Sequence, residues 1–195
     1  MPNNPVFFGS PSPPPRGISV DVATPGRAYS PDVQRRYATA LEAADGFDSI
    51  FRIVREVVRN VLGRERTGLG LALSDLPSGI GAYWPVTGNV IVMNEPLVRA
   101  MKAMASSPAE FNSFVFVILA HEYLHSLGYW GEDPVRRVTA QVVRTTFGPD
   151  HVATAMAEGD LWQMYPFLRM AHGGDGSRIR MVSRFDSDTT SAYIR

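Results

Sequence analysis

The chain has 195 residues, its 19 Lys+Arg balance 19 Asp+Glu, and its isoelectric point is near 6.9. That length suits one domain with tails and a sizeable core, and the charge balance gives no general attraction to nucleic acid or to an anionic membrane. Cysteine is absent, which excludes disulfides and thiolate metal sites; no apolar run reaches the ~20 residues that span a bilayer, and no basic-then-apolar leader opens the chain, so the cytoplasm is the default expectation.

Residues 1–30 carry Pro-Ser-Pro-Pro-Pro at 11–15 and no sustained periodicity, which predicts a disordered Pro-rich arm. Ser30-Pro31-Asp32 opens a first helix running to about Ala44, and Asp45-Gly46 breaks it. A second helix is expected over Phe47 to Leu62, where Ile50, Ile53, Val54, Val57, Val58 and Val61 recur at steps of three and four. Arg52, Arg55 and Arg59 fall on its other face, expected to be solvated. Leu69, Leu71 and Leu73 alternate in a strand over residues 67–74. A second strand over 79–84 is glycine-rich and stopped by Pro85, which fits a sheet edge. The third, over 89–94, holds the uninterrupted apolar run Val90 to Met93 and is expected to be buried on both faces.

Pro96 to Ala105 reads as a short helix, and the stretch Ser107 to Gly128 as a longer one. Ser107 takes the N-cap, Pro108 the first helical position and Glu110 the third, a capping box. Phe114 to Ala120 is apolar all round, so this helix is expected to be buried on most sides. Its last two turns contain His121-Glu122-Tyr123-Leu124-His125. Four residues apart on a helix, the two histidines share one face and can reach one Zn²⁺ ion, while Glu122 lies beside them as a general base. Gly128 supplies the left-handed stop.

His121-Glu122-x-x-His125-x-x-Gly128 resembles the active-site helix of the zincin metallopeptidases. The likeness is carried by the helix and extends weakly over residues 68–130. It implies an α+β, zincin-like fold: N-terminal helices, a small three-stranded sheet with an edge strand, the buried HExxH helix and C-terminal helices, as a catalytic domain over 31–170. In zincins an extended peptide adds to the edge strand, which points to Ala82 and Tyr83 as substrate contacts. The x-x-Gly extension is similar to the metzincin side, whose third ligand would fall at position 131. That residue is Gly131 here, and no Asn-Glu pair of the thermolysin type follows.

The third ligand therefore stays open between Glu132, seven residues after His125, and His151, with Glu158, Asp160 and Asp133 behind them. Asp133-Pro134 is expected to start the next helix, with Asp133 as its cap, running to about Phe147; a short helix follows from His151 to Ala157. Leu161 to Leu168 packs on the core, and 171–195 is expected to be a flexible tail carrying at most a strand over residues 179–185. Tyr129 and Tyr165 are candidates for a donor to a developing oxyanion. The expected activity is zinc-dependent hydrolysis of a peptide or protein substrate, with Glu122 as general base and no nucleic-acid or membrane partner. Two alternatives remain: a non-catalytic, zinc-stabilised interaction protein, and a metal-dependent endoribonuclease of the HxxxHxxGYxH kind, matched in part by His121, His125, Gly128 and Tyr129.

Overall fold

A computed structural model describes residues 29–171 and 173–186. The expected Pro-rich arm lies almost wholly outside them. Seven helices and a four-stranded sheet make an α+β arrangement in the order α1 (Pro31–Glu42), α2 (Phe47–Leu62), β1 (Gly70–Ser74), β2 (Ala82–Tyr83), β3 (Val90–Asn94), α3 (Glu95–Met104), α4 (Pro108–Ser126), α5 (Glu132–Phe147), α6 (Val152–Glu158), α7 (Leu161–Met164) and β4 (Ile179–Met181). A 3₁₀ turn over Pro166–Met170 links α7 to the last strand. Among the described residues no helix is long and apolar enough to cross a membrane.

Helix α4 is the axis. Every residue from Asn112 to Ser126 is buried, as its all-round apolar sequence requires, and α1, α2, α5 and α6 pack around it. The Ser107 hydroxyl accepts from the Glu110 N–H at 3.2 Å. Glu110 returns the bond one residue earlier than a capping box would, taking the Ser106 N–H at 2.6 Å. Phe114, Phe116, Leu119 and Tyr123 are fully enclosed; each such side chain contributes about 1.5–3 kcal/mol over leaving it in water.

The sheet runs β2-β3-β1-β4, one strand more than the three expected. β1 and β3 pair in parallel, Leu71 opposite Ile91 and Leu73 opposite Met93. Being central, β3 is covered on both faces: Ile91 and Met93 face the helices, while Val92 joins Ala72 and Leu76 in a small cluster on the far side. β2 is the edge, as its Pro85 stop implies, but only Ala82 and Tyr83 form it, opposite Met93 and Val92.

The segment expected as a flexible tail packs over residues 173–186. β4 adds antiparallel to β1, and Phe185 stacks on Phe51 at 4.5 Å between ring centroids. Asp186 is buried against the start of β1, accepting from the N–H groups of Gly68 and Leu69 and pairing with Arg55. These contacts draw on side chains more than a hundred residues apart, and no local periodicity announces them.

Candidate metal centre

Four residues of helix rise about 6 Å, yet the His121 and His125 rings converge until their Nε2 atoms are 3.1 Å apart. The turn that ends α4 fixes one of those rings. Gly128 sits at φ 89°; its N–H bonds the His125 carbonyl at 3.0 Å, and the Tyr129 N–H bonds the Leu124 carbonyl at 3.2 Å. This pair of bonds is the Schellman closure. It turns the Tyr129 carbonyl back onto His125 Nδ1 at 3.1 Å. A carbonyl only accepts, so Nδ1 carries the proton and Nε2 presents its lone pair.

The chain then reverses through Gly131, at φ 81° and ψ 136°, a conformation side chains resist. The predicted cap is corrected here: Gly131, not Asp133, precedes α5, and Glu132 is its first residue. A carboxylate at that position is favoured by the helix dipole. Glu132 points back at the histidines, Oε2 3.3 Å from His121 Nε2 and Oε1 3.6 Å from His125 Nε2. The glycine at position 131 thus makes the turn, and the adjacent residue brings the third donor.

Two Nε2 atoms 3.1 Å apart, with one Glu132 oxygen 3.3 Å from the first and the other 3.6 Å from the second, suit a single small cation. Donors about 2.0–2.1 Å from a tetrahedral centre lie ~3.3 Å from each other. Among the described residues, both Glu132 oxygens are buried without a hydrogen-bond partner, as is Glu122 Oε1. Unpaired buried carboxylate oxygen is costly, and a cation would compensate it. The His121, His125 and Glu132 group can therefore hold a metal ion.

Electrostatics favours the ligand forms. Burial pushes His121 down to about 4, against the pull of Glu132, so its imidazole is neutral at neutral pH. Burial alone would raise Glu132, but the facing imidazoles outweigh it and hold the carboxylate at about 2. Glu122 is displaced the other way: burial, then the charge of Glu132, push it well above the usual carboxylate range, while a hydrogen bond from the Trp84 backbone pulls it back.

Trp84 follows directly on the edge strand β2, so the edge ends against Glu122, a neighbour sequence reading missed. Arg66 secures that contact. Its guanidinium donates to the carbonyls of Ser126 and Gly88, both at 2.9 Å, and to Asn89 Oδ1 at 2.6 Å. It also lies over the Trp84 ring at 5.3 Å, and its backbone brackets the Tyr123 hydroxyl. The end of α4 and the β2–β3 turn are thereby tied together.

His151, a candidate ligand on sequence, does not join the group. Its Nδ1 accepts from the Ala153 N–H at 3.1 Å as the cap of α6, and its ring stacks on Phe147. Of the other acids, Asp160 caps α7, Glu158 pairs with Arg144, and Asp133 is not in the group. Tyr165 donates to Glu110 at the opposite end of α4, which removes it as an oxyanion donor. Ala82 is fully buried towards the helices and Tyr83 half-buried on the other face, so β2 offers a partner its main chain. Comparison with protein-family profiles, with curated proteins and with solved structures finds no match to this chain.

Proposed function

We propose that this protein is a zinc-dependent peptidase. The observation that carries the reading is a three-donor His₂Glu set with a second, non-ligating carboxylate buried beside it. A structural zinc site closes with four protein ligands, whereas a catalytic one keeps a position for water. His121, His125 and Glu132 would hold the ion, which when bound supplies Lewis-acid polarisation of a carbonyl and a water of lowered pKa. Glu122, whose Oε1 has no partner, takes the proton of the attacking water and passes it to the leaving amine. The Tyr129 carbonyl, accepting from His125 Nδ1–H, keeps His125 in the ligating tautomer. The free edge of β2 aligns an extended substrate main chain to main chain, beside Glu122.

Glu122→Gln tests the reading. Gln keeps the shape of Glu but accepts no proton at neutral pH. Zinc content and fold should hold, while chelator-sensitive cleavage of a peptide library should fall ~10²–10⁴-fold. Equal cleavage by both forms would sink the mechanism. The burial of His121 and His125, 1% and 3% exposed, favours a second reading, a metal strut in a binding protein. That reading expects no cleavage from either form and a fourth protein ligand in the metal-loaded structure.

A further inference from the structure

Away from the metal centre, the α1–α2 junction, β1, α3, the start of α4 and β4 surround a pocket of about 470 Å³. This lies within the ~300–1,000 Å³ of small-molecule sites. Its floor is apolar: Ile50, Leu73 and Val98 are buried, and the rings of Phe47 and Phe111 are half-buried. Two polar contacts keep the walls in place. Asn112, 5% exposed, donates to the carbonyls of Leu41 and Ala44, both at 2.9 Å, and so pins the α1–α2 junction. Across the opening, Arg180 of β4 donates to Glu95 of α3 at 2.9 Å.

The rim is cationic, and its charges differ in their state. Arg180 is matched by Glu95. Asp45, the other acid on the lining, already accepts from the Ser49 hydroxyl at 3.0 Å. Arg99 and Lys102 lie one turn apart on α3, exposed, and among the described residues no ion pair engages either. An apolar floor alone would suit any greasy guest. Two adjacent uncommitted cations at its mouth select one that ends in an anion.

We propose that this pocket binds a small aromatic carboxylate, its ring against Phe47 and Phe111 and its carboxylate between Arg99 and Lys102. The site is separate from the metal centre and does not depend on the peptidase reading. The test uses the full chain after chelator treatment, so that a carboxylate has no metal to bind. Calorimetric titration compares 2-naphthoate with the neutral, similarly shaped 2-naphthamide, and ¹H–¹⁵N spectra locate the contact. Naphthoate should bind at least ~10-fold tighter than the amide, because only it meets the rim charges. The double reversal Arg99→Glu/Lys102→Glu should lower naphthoate affinity ~10-fold or more and leave the amide unchanged. Should the reversal disturb folding, Arg99→Gln/Lys102→Gln should give the same selective loss. Equal affinity for the two probes, indifference to both rim variants, or spectral changes centred away from α3 and Phe111 would each overturn the proposal.

Discussion

Around Asp186 each carboxylate oxygen has a donor: Arg55 and the N–H groups of Gly68 and Leu69 serve Asp186, and Arg55 and Arg59 serve Glu65. Arg55 Nε is the one side-chain atom of that cluster buried without a partner. Around Glu132 the position is reversed. Among the described residues Glu122 Oε1 and both Glu132 oxygens are buried without a hydrogen bond, the latter two facing only the imidazoles of His121 and His125, whose nitrogens face each other across 3.1 Å. Both clusters are charged and both adjoin the same core, but only in the first is every carboxylate oxygen served by a protein donor. A polar cluster whose purpose is to join segments is satisfied by those segments. One left unsatisfied is arranged for something that binds.

The widest separation between the two comes from removing their centres. His121→Ala/His125→Ala should abolish binding of about one zinc per chain, measured by elemental analysis, because both donors on the shared helix face are lost. Full zinc retention in that variant would remove the metal reading altogether. Asp186→Ala should leave zinc content unchanged and instead cost about 1–3 kcal/mol in denaturant unfolding, since it leaves the Gly68 and Leu69 N–H groups without their acceptor while Arg55 keeps Glu65. Were Asp186→Ala to lower zinc content and spare stability, the two clusters would not divide into a structural and a metal-binding one.

A smaller effect sharpens the open cluster. Glu132→Gln keeps volume but removes the negative charge of the third donor, and zinc affinity should fall at least ~10-fold by chelator competition. His151→Ala should leave affinity unchanged and act only through the α6 cap, at about 0.5–2 kcal/mol. Equal zinc affinity for the two variants would return the third ligand to the other acids.

The difference between these clusters also explains what could be read from the sequence. The open one is nearly local. His121, Glu122 and His125 declare themselves by helical spacing, and Gly128 by the turn that α4 needs. Glu132 was reachable as a candidate because it is only seven residues further on. What decided between it and His151 was the conformation of Gly131, which spacing does not encode. The closed cluster joins Arg55 to Asp186 across |i−j| = 131, and its acid stands in a segment with turn-like composition. A strand over 179–185 could be suspected, and β4 covers Ile179–Met181 of it, but its pairing could not be read: three exposed residues carry no burial pattern, and their place is set by β1. Trp84 reads as a strand-end aromatic, yet its backbone, which has no sequence signature, is what meets Glu122.

Gly131 therefore offers the finest test, because it acts on the open cluster through geometry alone. A Cβ there would meet Pro134 Cδ at 3.4 Å, an ordinary contact, so Gly131→Ala is resisted by φ 81° and not by crowding. The expected loss is about 1–3 kcal/mol. Gly63 provides the control: it closes α2 at φ 66° with nothing within 4 Å of its Cβ position. Gly63→Ala should cost about 1–2 kcal/mol and leave zinc affinity at the wild-type value. Gly131→Ala should weaken zinc as well, since a turn that relaxes its φ swings Glu132 away from His121 and His125. Both variants are measured by thermal unfolding and by chelator competition. If Gly131→Ala loses stability but keeps wild-type zinc affinity, the turn is only a chain reversal, and the placement of Glu132 owes nothing to it.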